Sequence, residues 1–221
     1  MSITENIKNL SAALPPQVTL VAVTKTKPIS DLMQAYDAGF KVFGENYVQE
    51  LVDKQAQMPK DIEWHMIGHL QSNKVKYIAG FVSLVHSVDS FKLLAEIDKQ
   101  AAKNQRVINC LLQVYIAQED SKTGMTEAEL IDLLASDAFK ALKNIKVVGL
   151  MGMASFVADE AQIRREFTAL KKCFLQANAM FGNTTNLALK EISMGMSGDY
   201  KMAIEEGSTM IRVGSAIFGG R

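Results

Sequence analysis

Short apolar runs alternate with longer stretches of helical period from near the start of the chain to its end, and such alternation is the signature of successive parallel βα units. The run Leu20-Val21-Ala22-Val23 is continuous instead of alternating apolar with polar. That is the pattern of a strand buried on both faces. The strand-like runs are residues 19–24, 41–44, 63–67, 83–86, 107–115, 146–151, 191–194 and 210–213. Helix-like stretches follow at 29–38, 48–57, 73–79, 90–103, 126–135, 159–180 and 199–206, with a short final turn from 215. Gly39, Pro59, Gly80 and Gly207 stand where helices should stop, and Thr126 with Glu129 has the spacing of a capping box. Roughly eight strands, each followed by a helix, predict a (β/α)₈ barrel. The seventh run is short and the third helix weak, so an open sheet of fewer strands stands as the alternative.

The 221 residues contain no linker, fixed-period repeat or low-complexity tract, so residues 1–221 are read as a single domain. With 24 acidic and 24 basic residues, the net charge gives no reason to seek nucleic acid or an anionic membrane, and any anion site must be local. The opening "MSITENIKNLSAAL" mixes charge into an amphipathic pattern, unlike a signal peptide or a membrane span, and a cytoplasmic protein is expected. Cys110 and Cys173 lie among apolar neighbours without metal or redox spacing and read as reduced core residues. His65 and His69 are four apart but fall on a strand and turn with no third ligand nearby, so they read as core or hydrogen-bonding residues, as does His86, and no metal is expected. Met151, Met153, Met194 and Met196 read as core filler.

In a parallel barrel the residues just after each strand share one rim, which is where such folds place their chemistry. That rim gathers Lys25 and Lys27, Glu45 and Asn46, Gly68 and His69, Ser87 and Asp89, Tyr115, Met153, the turn at 195–197 and the turn at 212–215. The last two turns put glycine and a hydroxyl just before a helical start, with Gly195, Ser197 and Gly198 in one, Gly214 and Ser215 in the other. Free amides, the helix dipole and the serine hydroxyls there suit an oxyanion such as phosphate. The plainer reading, that the glycines serve tight turns and the serines are N-caps, stands beside it. Lys25, on the same rim, is placed to form a Schiff base with a phosphorylated aldehyde or ketone, against the alternative of a solvated loop lysine. Lys27, before Pro28, reads as a surface or gating lysine. Arg212 leaves an apolar strand two residues before Gly214 and reads as a buried functional partner. Facing a pyridine nitrogen, its guanidinium would keep that nitrogen unprotonated and weaken the ring as an electron sink.

The segments "VAVTKTKP", "FGENYVQE", "WHMIGHLQSNK", "EDSKTG", "VGLMGM" and "SMGMSGDYKMAIEEGSTMIRVGSAIFG" resemble, in order and spacing, the pyridoxal phosphate homeostasis protein family, over most of the chain. The resemblance implies an α/β fold, a single (β/α)₈ TIM barrel similar to the N-terminal domain of alanine racemase, the fold type III of pyridoxal phosphate proteins. It implies pyridoxal 5′-phosphate as cofactor, with Lys25 as the imine-forming lysine and Asn46 against the ring. Ser197, Gly214 and Ser215 would hold the phosphate, and Arg212 would face the ring nitrogen. Thr24 and Ser215 stand where the family often has serine and threonine, and both keep the hydroxyl. The short ending at Gly219-Gly220-Arg221 predicts a short closing helix. The implied function is a non-catalytic carrier or buffer in intracellular pyridoxal phosphate homeostasis, a monomer without robust enzymatic activity, with apo pyridoxal-phosphate enzymes as candidate recipients. The resemblance leaves a weak racemase-like activity open. The second reading is a fold type III amino-acid racemase, which would need a base on each face of the cofactor. A third is a cofactor-free Schiff-base aldolase.

Overall fold

The computed structural model describes residues 2–118 and 123–220, so Glu119 to Lys122 of the "EDSKTG" segment lie outside the described residues. Eight parallel strands close in chain order into a barrel: β1 (Thr19–Val23), β2 (Val42–Glu45), β3 (Glu63–Met66), β4 (Leu84–Val88), β5 (Ile108–Gln113), β6 (Ile145–Met151), β7 (Leu187–Ser193) and β8 (Met210–Val213). Closure is made by β8 lying against β1, with Val21 opposite Arg212 and Ala22 opposite Val213. The open-sheet alternative is thereby excluded. The seventh strand is longer than its sequence suggests, because Leu187 to Leu189 are buried before Lys190 turns outward.

The helices are α1 (Ile3–Ala13), α2 (Ile29–Asp37), α3 (Val48–Gln57), α4 (Val75–Ile78), α5 (Phe91–Lys103), α6 (Glu127–Ala135), α7 (Asp137–Lys140), α8 (Glu160–Phe181), α9 (Tyr200–Glu205) and α10 (Ser215–Phe218). Their starts follow local chemistry. Ser2 with Glu5, and Thr126 with Glu129, form reciprocal capping boxes, and the side chains of Ser90 and Asp159 accept the Leu93 and Gln162 amides. The weak third helix proves to be a 3₁₀ turn (Ser72–Lys74) leading into the one-turn α4, and the closing helix α10 is indeed short.

Alternation on buried strands divides the core in two. Leu20 and Ala22 join the large cluster between the barrel wall and the helices, with Phe43, Trp64, Leu94, Ile97, Phe139, Phe167 and Leu170. Val21 faces a smaller cluster built from strand residues alone, Leu84, Leu111, Met151 and Met210. Cys110 and Cys173 are free and buried, and burial pushes both thiols up from their ordinary pKa, that of Cys173 to about 11. Among the described residues no helix is long and apolar enough to cross a membrane, and no cluster of His, Cys, Asp and Glu could hold a metal ion.

Candidate functional site

A cleft of about 510 Å³ opens on the rim where the strands end, a size that suits a small-molecule ligand. Lys25, Asn46, Ser197, Arg212, Gly214 and Ser215 all line it, so the barrel brings residues from its first, second, seventh and eighth units to one place.

The Lys25 loop is fixed on both sides. Thr24, wholly buried, donates its hydroxyl to Glu45 Oε1 at 2.6 Å, and its carbonyl accepts from Lys54 Nζ at 2.7 Å. Thr26 has φ 62°, in the left-handed region that costs a β-branched residue about 1–2 kcal/mol. Its amide donates to Glu50 Oε1 at 2.6 Å. Lys27 donates to the Phe218, Gly219 and Gly220 carbonyls at 3.1–3.2 Å, so it fastens the end of the chain to the first loop instead of standing free on the surface. Between these anchored neighbours, Lys25 faces the cleft.

The two glycine turns meet through their serines. Gly214 donates its amide to Ser197 Oγ at 3.3 Å, and the Ser197 and Gly198 amides have no acceptor among the described residues. Gly195, at φ 96°, could not carry a side chain, because a Cβ there would lie 2.6 Å from that of Ala203. The result is a cup of hydrogen-bond donors with one acidic neighbour, Asp199, whose Oδ1 already accepts the Met196 amide at 2.5 Å.

Arg212 is held from behind. It is only 4% exposed and donates to Ser193 Oγ at 2.5 Å and to the Gly152 carbonyl at 3.2 Å. Ser193 is 3.1 Å from His86 Nδ1, and His86 Nε2 is 3.1 Å from His65 Nδ1, so a buried polar chain runs from the cleft into the barrel. Burial pulls the Arg212 pKa down to about 10, offset in part by Asp199, and the guanidinium stays charged at neutral pH. Burial also pulls His65 down to about 4, while burial, then competition with His65 for a proton and the Arg212 charge, hold His86 far below its ordinary value, so both rings are neutral at neutral pH.

Asn46 completes the inner wall; its Oδ1 is buried without a hydrogen-bond partner among the described residues. An orphaned buried acceptor at a cleft is a place where a ligand donor would be welcome. Several lining residues were not legible in the sequence: Val23, Ile67, Ser155, Phe156, Val157, Ile163 and Asp199. Ser155 is held by Glu166 of α8, whose Oε2 accepts the Ser155 amide at 2.6 Å and whose Oε1 accepts the Ser155 hydroxyl at 2.8 Å and the Gln118 amide at 3.2 Å. Met153 and Met196 also line the cleft, which corrects their reading as core filler; Met151 and Met194 are buried. His65 and His86 are the hydrogen-bonded core residues expected, whereas His69 is exposed and lies 3.5 Å from Asp89. A signal for the polar chain was present in principle, since His86 and Ser193 sit at strand ends among apolar residues.

This closed barrel with its rim cleft has the architecture of the alanine racemase N-terminal domain, and the family described as "Alanine racemase, N-terminal domain" matches residues 1–221. Alanine racemase from Bartonella henselae superposes with a TM-score of 0.76 at 16% identity, over 99% of this chain and 58% of that one, a likeness of fold alone. Within that class the chain belongs to the pyridoxal phosphate homeostasis protein family. The pyridoxal phosphate homeostasis protein of Vibrio alginolyticus is 38% identical over 235 residues, covering 100% of this chain and 98% of that protein. PipY of Synechococcus elongatus, 35% identical, covers 99% of this chain and 100% of its own, with TM-scores of 0.92 for the structure without pyridoxal phosphate and 0.89 for that with it bound.

Proposed function

We propose that this protein binds pyridoxal 5′-phosphate in the rim cleft and holds it for intracellular cofactor homeostasis, as a carrier or buffer without robust turnover of amino acids. The observation that carries this reading is the convergence of Lys25, Arg212 and the Ser197–Gly214 cup on one cleft. The residues present suit the cofactor. The Ser197 and Gly198 amides have no acceptor of their own among the described residues, and Asn46 offers an orphaned acceptor. When bound, pyridoxal phosphate supplies an aldehyde that condenses with an amine and a phosphate that needs a donor cradle. Lys25 is the amine to which that aldehyde is joined. Ser197, Gly214 and Ser215 hold the phosphate, Asn46 contacts the ring, and Arg212 faces its nitrogen and keeps it unprotonated. An unprotonated ring is a poor electron sink, which favours storage over carbanion chemistry. Curated relatives bear a homeostasis name, and PipY, a structural neighbour, is solved with pyridoxal phosphate bound.

The racemase reading needs a second base opposite the lysine. Among the described residues lining the cleft, Lys25 is the one amine, and no tyrosine, histidine or cysteine stands with it. The test is to incubate the purified protein with pyridoxal phosphate, reduce it with borohydride and locate the adduct by mass spectrometry, then assay alanine racemisation. The expected result is yellow protein, an adduct on Lys25 that is lost in Lys25→Ala, and no appreciable racemisation. An adduct elsewhere, or substantial turnover abolished by Lys25→Ala, would overturn the carrier reading.

A further inference from the structure

Resting on that reading, we infer that Glu45, Glu50 and Lys54 are positioning residues for Lys25, fixing the residues on either side of it so that its amine meets the bound aldehyde. Lys54 has three protons to donate, and it places them on the Thr24 carbonyl, Glu45 Oε1 and Glu50 Oε1, each at 2.7 Å. The same two carboxylate oxygens reach the loop a second time. Glu45 Oε1 accepts the Thr24 hydroxyl and Glu50 Oε1 accepts the Thr26 amide, both at 2.6 Å. The network therefore grips the residue before Lys25 through its carbonyl and hydroxyl, and the residue after it through its amide. Lys25 itself takes no part.

Stability alone does not account for this arrangement. Lys54 and Glu45 are buried, and an apolar group of similar volume often replaces such an ion pair without loss. Glu45 Oε2 is buried without a partner among the described residues, an imperfection that a purely stabilising pair would not need. What the network does secure is a loop conformation the chain would otherwise leave, since Thr26 is held at positive φ by the hydrogen bond its amide donates to Glu50.

Position matters because Lys25 must bring its nitrogen to the aldehyde carbon. The N–C bond forms as the carbonyl oxygen departs as water with both amine hydrogens. Small misplacements of a reacting group slow such steps steeply.

The experiment compares two probes in wild type, Glu50→Gln and Lys54→Met. Pyridoxal phosphate reports attachment to Lys25, followed by absorbance and borohydride trapping. Pyridoxine 5′-phosphate has an alcohol in place of the aldehyde and so reports the cup and ring contacts alone. Glu50→Gln keeps an acceptor but removes the charge, and it should slow attachment at least about fivefold while pyridoxine phosphate affinity stays within about twofold. Lys54→Met should do the same more strongly; if it does not fold, as judged by circular dichroism, Glu50→Gln decides. Equal losses for both probes would make the network merely structural, and unchanged attachment would remove its role altogether; either result overturns the inference. Wild-type protein that never attaches pyridoxal phosphate at Lys25 would instead overturn the functional reading beneath it.

Discussion

Arg212 lines the cleft with Ser193 Oγ accepting from it at 2.5 Å and the Gly152 carbonyl at 3.2 Å, and two neutral histidines continue that chain into a buried region. With Arg212 a fixed donor, the pattern that uses each proton once has Ser193 donating to His86 Nδ1 and His86 Nε2–H donating to His65 Nδ1. Neutrality has a thermodynamic consequence. Both histidines have folded-state pKa values below the ordinary 6.5, His65 at about 4, so the unfolded chain takes up protons first as pH falls. Stability is therefore greatest above pH 6.5 and falls as pH drops, down to about 4 for His65 at up to about 1.4 kcal/mol per pH unit, while His86, held far below its ordinary value, goes on costing stability at lower pH. Urea denaturation across this range should show stability falling towards acid, and a His65→Gln, His86→Gln double variant should show a shallower fall. Parallel curves for the two proteins would refute the assignment of neutral rings. None of this chain was legible in the sequence as a unit, because its members lie on four strands and only the barrel's inward alternation brings them together.

Single elements show how far local pattern reaches. Capped helices with an apolar stripe, α5, α6 and α8, fall within a residue or two of where the sequence puts them, because the cap and the stripe are both local. The one-turn α7 was not anticipated. Ser136 accepts the Phe139 amide and Phe139 is buried, but four residues are too few to display a period. The first half of β7 was missed for a different reason, since Lys190 and Glu191 interrupt a run that only its partner β6 explains. There the register shifts between Val147 and Gly149, and Gly149 comes so near β7 that a Cβ would lie 1.9 Å from the Glu191 carbonyl oxygen. Gly149→Ala must therefore move backbone in the middle of the sheet. The expected loss is about 3 kcal/mol or more in urea denaturation, or failure to fold. A variant as stable as wild type would show that the two strands can part there without cost.

At the level of the whole molecule, the rim rule made the cleft's membership legible before any contact was known: Lys25, Asn46 and the two glycine turns were expected on one rim, and the barrel places them on one cleft. The wall residues around them stayed hidden, because Ser155, Phe156 and Val157 belong to a loop whose position Glu166 sets from a helix eleven residues on. The two ends of the chain are also joined. Asn6 Nδ2 donates to the Ile217 carbonyl at 3.0 Å, and Lys27 gathers the last three described carbonyls. Lys27→Met should loosen that closing segment by about 1 kcal/mol, seen as faster hydrogen exchange at Gly219; protection equal to wild type would show the clasp to be idle. The pairing of β1 with β8 carries a temporal meaning as well. A polypeptide emerging from the ribosome has Lys25 early, yet the turns at Ser197 and Gly214 that share its cleft are made much later. The rim cleft therefore cannot form until β8 and the turn after it have been translated.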